Sequence, residues 1–99
     1  MSNDPIGNEP RSYEVDHKLV NDMANHMFEK MRKNKNKAHW STVPQGWLIK
    51  RLREELEELE YALFTYESTP EDIAKECADV ANFAAMISDN ATFAGKKNQ

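Results

Sequence analysis

The chain has 99 residues, enough for one modest domain. Its formal net charge of −4 argues against a nucleic-acid binder, which relies on basic excess. The single cysteine, Cys77, excludes an intramolecular disulfide, and no run approaches the ~20 apolar residues of a membrane span.

Residues 1–12 hold two prolines, a glycine and polar side chains with little to bury, and they read as a flexible N-terminal arm. The arm lacks the apolar core of a secretory signal, so a cytoplasmic location is expected. From Tyr13 to about Lys33 the residues Leu19, Val20, Met23, Ala24, Met27 and Met31 recur at helical spacing and predict a first amphipathic helix. The link "KNKNKAHWSTV" is basic, then aromatic, with no clear period. Pro44 suits the first turn of a second helix, where its missing donor costs nothing, and that helix is expected to run to about Tyr66.

In "STPED", Thr69 can cap, Pro70 can open a helix, and Asp72 can reach back as the acidic partner of a capping box. A third helix should follow to about Ala91, leaving residues 93–99 as a flexible tail. Residues 13–92 thus form one all-α domain of three helices. The third helix is apolar nearly all round between Cys77 and Ile87, which demands contacts on more than one side. A homodimer or homotetramer completing a four-helix or larger bundle would supply them.

Stepping about 100° per residue along the second helix groups Leu48, Leu52, Leu59, Leu63 and Tyr66 into one apolar stripe. Glu57 falls opposite it, and Glu54 and Glu60 lie well outside. Glu55 falls inside the stripe, between Leu48 and Ala62, and Glu58 lies at its edge. On the third helix the expected stripe is Ile73, Cys77, Val80, Ala84 and Ile87, with Glu76 on its flank and Asp79 and Asn82 continuing round that side. Each helix therefore offers two carboxylates at i and i+3 on one face. The short link between the helices predicts antiparallel packing, which brings the four carboxylates together.

Four negative charges in a low-dielectric seam need protonation, basic partners or a divalent cation. An all-oxygen ligand set suits Mg²⁺, or Mn²⁺ in its place, and Mg²⁺ in turn points to phosphate chemistry. A di-iron bundle would want a Glu-x-x-His motif on each of two helices, and the chain has a single such spacing, Glu14-x-x-His17. On spacing alone, a salt-bridged Glu-rich bundle using Lys50, Arg51, Arg53 and Lys75 remains open beside the metal site.

The segments "EELEEL" and "ECADVANF" resemble the Glu-x-x-Glu … Glu-x-x-Asp signature of the MazG-like, all-α nucleoside triphosphate pyrophosphohydrolases. In this chain the signature reads Glu55-x-x-Glu58, a spacer of 17 residues, then Glu76-x-x-Asp79. The resemblance extends over roughly residues 15–91 and is closest in length to the short single-domain members found in phages and bacteria. It implies Mg²⁺-dependent hydrolysis of a nucleoside triphosphate (ribose or deoxyribose) to the monophosphate and pyrophosphate. Glu55, Glu58, Glu76 and Asp79 would then be the metal ligands and catalytic carboxylates. A phage-encoded chain would act in the host cytoplasm.

Around this site, Lys37 and Lys50 are candidates for phosphate contact, Trp40 for stacking on a base, and Asn82 for contact with the sugar, the base or a metal-bound water. Each has a plainer reading: solvated lysines, packing tryptophan, and an asparagine bonding between helices. Trp47, beside the apolar stripe, and Met23, Met27 and Met31 read better as packing. The competing class is a non-catalytic helical oligomer that serves as an interaction module.

Overall fold

The computed structural model describes residues 12–33 and 40–97, with side chains through Phe93. The described residues form three α-helices, a short 3-10 turn and no strand: α1 (Tyr13–Lys33), the turn Trp40–Thr42, α2 (Gln45–Leu63) and α3 (Pro70–Lys97). None of the helices is long and apolar enough to cross a membrane. The arm expected at 1–12 lies outside the described residues, save for Ser12.

Local chemistry sets the helix ends. Ser12 opens α1: its Oγ accepts a hydrogen bond from the Val15 amide at 3.1 Å. Glu14 and Asp16 in the first turn and Lys30, Arg32 and Lys33 in the last complement the helix dipole. Pro44 is the residue just before α2, and its carbonyl receives the amides of Trp47 and Leu48 at 3.0 and 3.3 Å. At α3 the expected capping box is complete. The Thr69 amide donates to Asp72 Oδ2 at 3.0 Å and the Asp72 amide donates to Thr69 Oγ1 at 3.1 Å. Hydrogen bonding from the backbone amide and the hydroxyl of Thr69 holds the Asp72 carboxyl below its usual pKa.

α3 is the central element: α1, α2 and the 3-10 turn all pack on it. This arrangement explains the all-round apolar stretch of α3 within a single chain. Both neighbouring helices run antiparallel to it. On the α1 side, Met27 meets Asn82 and Lys30 meets Asp79. On the α2 side, Arg51 lies over the Phe83 ring while Glu55 meets Glu76 and Asp79.

Among the described residues few apolar side chains are buried. Leu48 and Ala78 have no exposure, Ala62 has 8%, and three polar residues, Glu55, Asn82 and Asn90, are buried with them. Leu48, Glu55 and Ala62 follow one another at seven-residue intervals and form a single line along α2, as the helical phase predicts.

Several sequence expectations differ from the structure. α2 stops at Leu63, with Tyr66 beyond it, and both Leu63 and Tyr66 are exposed. After Leu63 the chain turns, with the Phe64 amide bonded back to Glu60 and the Thr65 hydroxyl to Tyr61, so residue 66 no longer keeps the helical phase. On α3 the closest packing is at Ala78 and Asn82, roughly 120–160° around the helix from the exposed Ala84. Sandwiching between two helices places small and polar side chains at the nearest approach, while Ile73, Cys77, Val80 and Ile87 are half-buried on the flank. α3 also continues to Lys97, past Ala91, over most of the segment expected as a tail. Trp47, expected to pack, is half exposed.

The 3-10 turn is held by adjacent residues of α3. Trp40 Nε1 donates to Asp89 Oδ2 at 2.8 Å, and Asn90 Nδ2 donates to the carbonyls of Trp40 and Val43 at 2.8 and 2.9 Å. Because Asn90 is buried, Asn90→Ala should leave two carbonyls without their donor and lower unfolding free energy by about 1–3 kcal/mol, read from urea denaturation.

Candidate metal centre

The buried line of α2 puts Glu55 where it faces α3, and there Glu76 and Asp79 meet it. Each of the three offers a carboxylate oxygen, and these oxygens all lie within 4.8 Å of one another. Glu55 is buried, and Glu76 and Asp79 are half-buried. Glu58, one turn after Glu55, is exposed and stands on the wall of the adjoining cleft, outside this trio.

Two cations offset part of the charge. Arg51 donates to Glu54 at 2.6 Å and to Glu55 at 2.9 Å, and its guanidinium lies 4.9 Å from the Phe83 ring centre. Lys30, arriving from α1, stands 3.0 Å from Asp79 Oδ2. Compensation is incomplete. Glu76 Oε1 is buried with no hydrogen-bond partner, an expensive state for a carboxylate.

Burial raises the pKa of Glu55; the Arg51 hydrogen bond opposes the rise, and the charges of Glu58 and Asp79 add to it. Burial likewise raises Glu76, reinforced by Asp79 and Glu58 and opposed by Lys30. Both carboxyls therefore hold protons more tightly than free carboxylic acids.

The trio adjoins an open cleft of about 790 Å³ beside the α2–α3 link. Lys30, Glu54, Glu57, Glu58, Tyr61 and Glu76 are among its walls, with Asp72, Lys75, Ser68 and Ala62 completing them. Glu54 and Glu57, expected on the solvent side, thus border the site. The cleft wall takes in a broad arc of α2, from Glu57 round to Ala62, so residues away from Glu55 in helical phase still border it.

Of the other anticipated contacts, Lys37 lies outside the described residues. Lys50 is exposed and borders no part of the cleft, and Trp40 is engaged with Asp89 away from it. Asn82 bonds between helices, its Nδ2 donating to the Met27 carbonyl at 3.2 Å while Oδ1 is buried and unmatched. Sequence reasoning overlooked Tyr61. It is a cleft residue, 74% exposed, whose place on the rim follows only from where the α2–α3 link turns.

The residues fit a hard divalent cation. Cation–oxygen distances of about 2.0–2.6 Å let one ion bridge oxygens this close together. A carboxylate oxygen buried without a partner is the kind of ligand such an ion satisfies. Nitrogen and sulfur donors are absent from the trio, which disfavours zinc and copper.

The raised carboxyls give the metal-free protein a pH signature. Unfolded glutamates titrate near the ordinary 4.5, so between that value and the raised ones the folded chain holds more protons. The associated stability is fully present below the ordinary value and is lost as pH rises through the raised ones. In EDTA, the melting temperature of the wild type should climb as pH is lowered from neutral toward the ordinary 4.5, and Glu76→Gln should flatten that climb. Equal slopes in the two proteins would contradict the account of Glu76.

No family model, curated protein or solved structure matches the chain.

Proposed function

We propose that the protein is a Mg²⁺-dependent nucleoside triphosphate pyrophosphohydrolase, cleaving its substrate to the nucleoside monophosphate and pyrophosphate. The observation that carries this reading is the convergence of Glu55, Glu76 and Asp79 from two helices, beside an unmatched buried oxygen of Glu76. Purely structural carboxylates would gain by facing solvent. The resemblance of the Glu55-x-x-Glu58 and Glu76-x-x-Asp79 motifs to the MazG-like signature supports the same conclusion.

Glu55, Glu76 and Asp79 would hold the metal, with Glu58 reaching in from the cleft wall. Bound there, Mg²⁺, or Mn²⁺ in its place, supplies charge neutralisation to the phosphates and lowers the pKa of a coordinated water. The chain's own residues perform the remaining tasks. Arg51 orients the Glu55 carboxylate through its bond at 2.9 Å and favours its ionised form against the effect of burial. Lys75 contributes positive charge to a cleft otherwise rich in carboxylates, where an anionic triphosphate is admissible only with cations. The exposed ring of Tyr61 offers a face for a base.

Oligomerisation belongs to this reading. Tyr13, Leu19, Val20 and Phe28 on α1, with Leu63, Phe64 and Tyr66 around the end of α2, are large hydrophobic side chains left exposed in one chain. A homodimer or homotetramer would cover them. The same exposure suits the rival reading, a non-catalytic interaction module, but that reading gives no reason to bury Glu55.

The deciding experiment incubates the protein with the common ribo- and deoxyribonucleoside triphosphates, including dUTP, in Mg²⁺ and in EDTA, and separates pyrophosphate from orthophosphate. Pyrophosphate release should require Mg²⁺ and fall by about 10²-fold or more in Glu55→Gln and Glu76→Gln. Mg²⁺ should also raise the melting temperature of the wild type and leave that of Glu76→Gln nearly unmoved. Absence of both hydrolysis and a Mg²⁺ shift would favour the interaction module.

A further inference from the structure

The two cations at the carboxylate cluster are held in different ways. Arg51 belongs to α2 itself, and its guanidinium is divided between Glu54 and Glu55 while resting over Phe83. A planar fork with three such contacts is anchored. Lys30 comes from another helix and pairs with Asp79 at 3.0 Å, through an ammonium on a flexible four-carbon stem. Its side chain is 25% exposed and forms part of the cleft wall. Asp79 is also one of the three residues whose oxygens converge. The ammonium therefore stands against an oxygen that a metal ion would need.

We infer that Lys30 is a built-in counter-ion of the cluster, displaced from Asp79 by a divalent cation and thereby released into the cleft as a binding group for the substrate's phosphates. The inference rests on the metal-site reading above and adds a role for α1 to it. A cation held by Glu55, Glu76 and Asp79 repels an ammonium left within a few ångströms, and the two compete for Asp79. Because Lys30 already forms part of the cleft wall, its escape from Asp79 leads into the cleft. The triphosphate's negative charge would receive it there. Metal and nucleotide would then assist each other: the ion frees the ammonium, and the phosphates hold it away from Asp79. By linkage, each raises the other's affinity.

This role predicts changes of opposite sign in two measurements. Titration calorimetry with Mn²⁺ alone, at fixed ionic strength, should show Lys30→Gln binding the ion roughly three- to tenfold more tightly than wild type, because a competing charge is gone. In steady-state hydrolysis, the same variant should show KM for the triphosphate raised roughly tenfold, because a phosphate ligand is gone. Lys30→Arg, which keeps the charge, should bind Mn²⁺ no more tightly than wild type. A residue that merely ties α1 to α3 predicts the reverse for Lys30→Gln, a weakened Mn²⁺ site.

Lys30→Met, which preserves the packing of the stem, repeats the Mn²⁺ titration should the Gln variant lose helical circular dichroism. Unchanged or weaker Mn²⁺ binding in a folded variant, with the wild type binding Mn²⁺ and hydrolysing its substrate, overturns the role of Lys30 alone. Wild-type protein that binds no Mn²⁺ overturns the metal site and this role with it.

Discussion

The buried carboxylate of Glu55 is the constraint on which the rest of the structure depends. It lies between Leu48 and Ala62 on the one line of α2 that is fully packed, so α2 cannot close on α3 without enclosing it. Enclosing a carboxylate requires a compensating partner, and loss of that partner costs more than the pair contributes. Arg51, one turn earlier, meets this need from within the same helix. Helix packing and charge compensation are thus one event at this seam. Facing Glu76 and Asp79 exceed what Arg51 alone can balance; Lys30 from α1 offsets Asp79, and Glu76 Oε1 stays buried without a hydrogen-bond partner.

α3 carries this arrangement because it is the element shared by every other part of the fold. Its start is defined by the reciprocal bonds of Thr69 and Asp72, and near its other end Asp89 and Asn90 grip the turn that precedes α2. The grip on this turn and the short α2–α3 link constrain the rotation and height of α3 relative to α2 from both ends. A site made from facing side chains needs both coordinates to be defined, since one residue of slip would turn Glu76 and Asp79 about 100° away from Glu55. The same helix meets α1 through the Asn82 bond to Met27 and the Asp79 pair with Lys30. The cluster therefore draws on all three helices, although its carboxylates come from two.

The limited apolar core accords with a fold that devotes buried positions to polar groups. Among the described residues three apolar and three polar ones form the buried set, so hydrogen bonding and charge pairing carry much of the specificity of packing. Half-buried Met23, Met27 and Met31 line α1 with adaptable side chains that suit such a loosely filled seam.

Much of this was legible in the residues themselves. Periodicity and capping chemistry are local, so the sequence alone determined three helices, the Thr69–Asp72 start of α3, and the placement of Glu55 on the packed line between Leu48 and Ala62. Other features were decided only by the tertiary structure. Where α2 ends depends on the chain turning at Phe64, which moved Tyr66 into solvent and made Tyr61 a rim residue of the cleft. That Glu58 stands on the cleft wall while Glu76 and Asp79 join Glu55 depends on the relative rotation of two helices, which no single helix encodes. Lys30 is the clearest case. Its proximity to Asp79 spans separate helices and 49 residues of sequence, and such a meeting exists only once α1 has settled on α3.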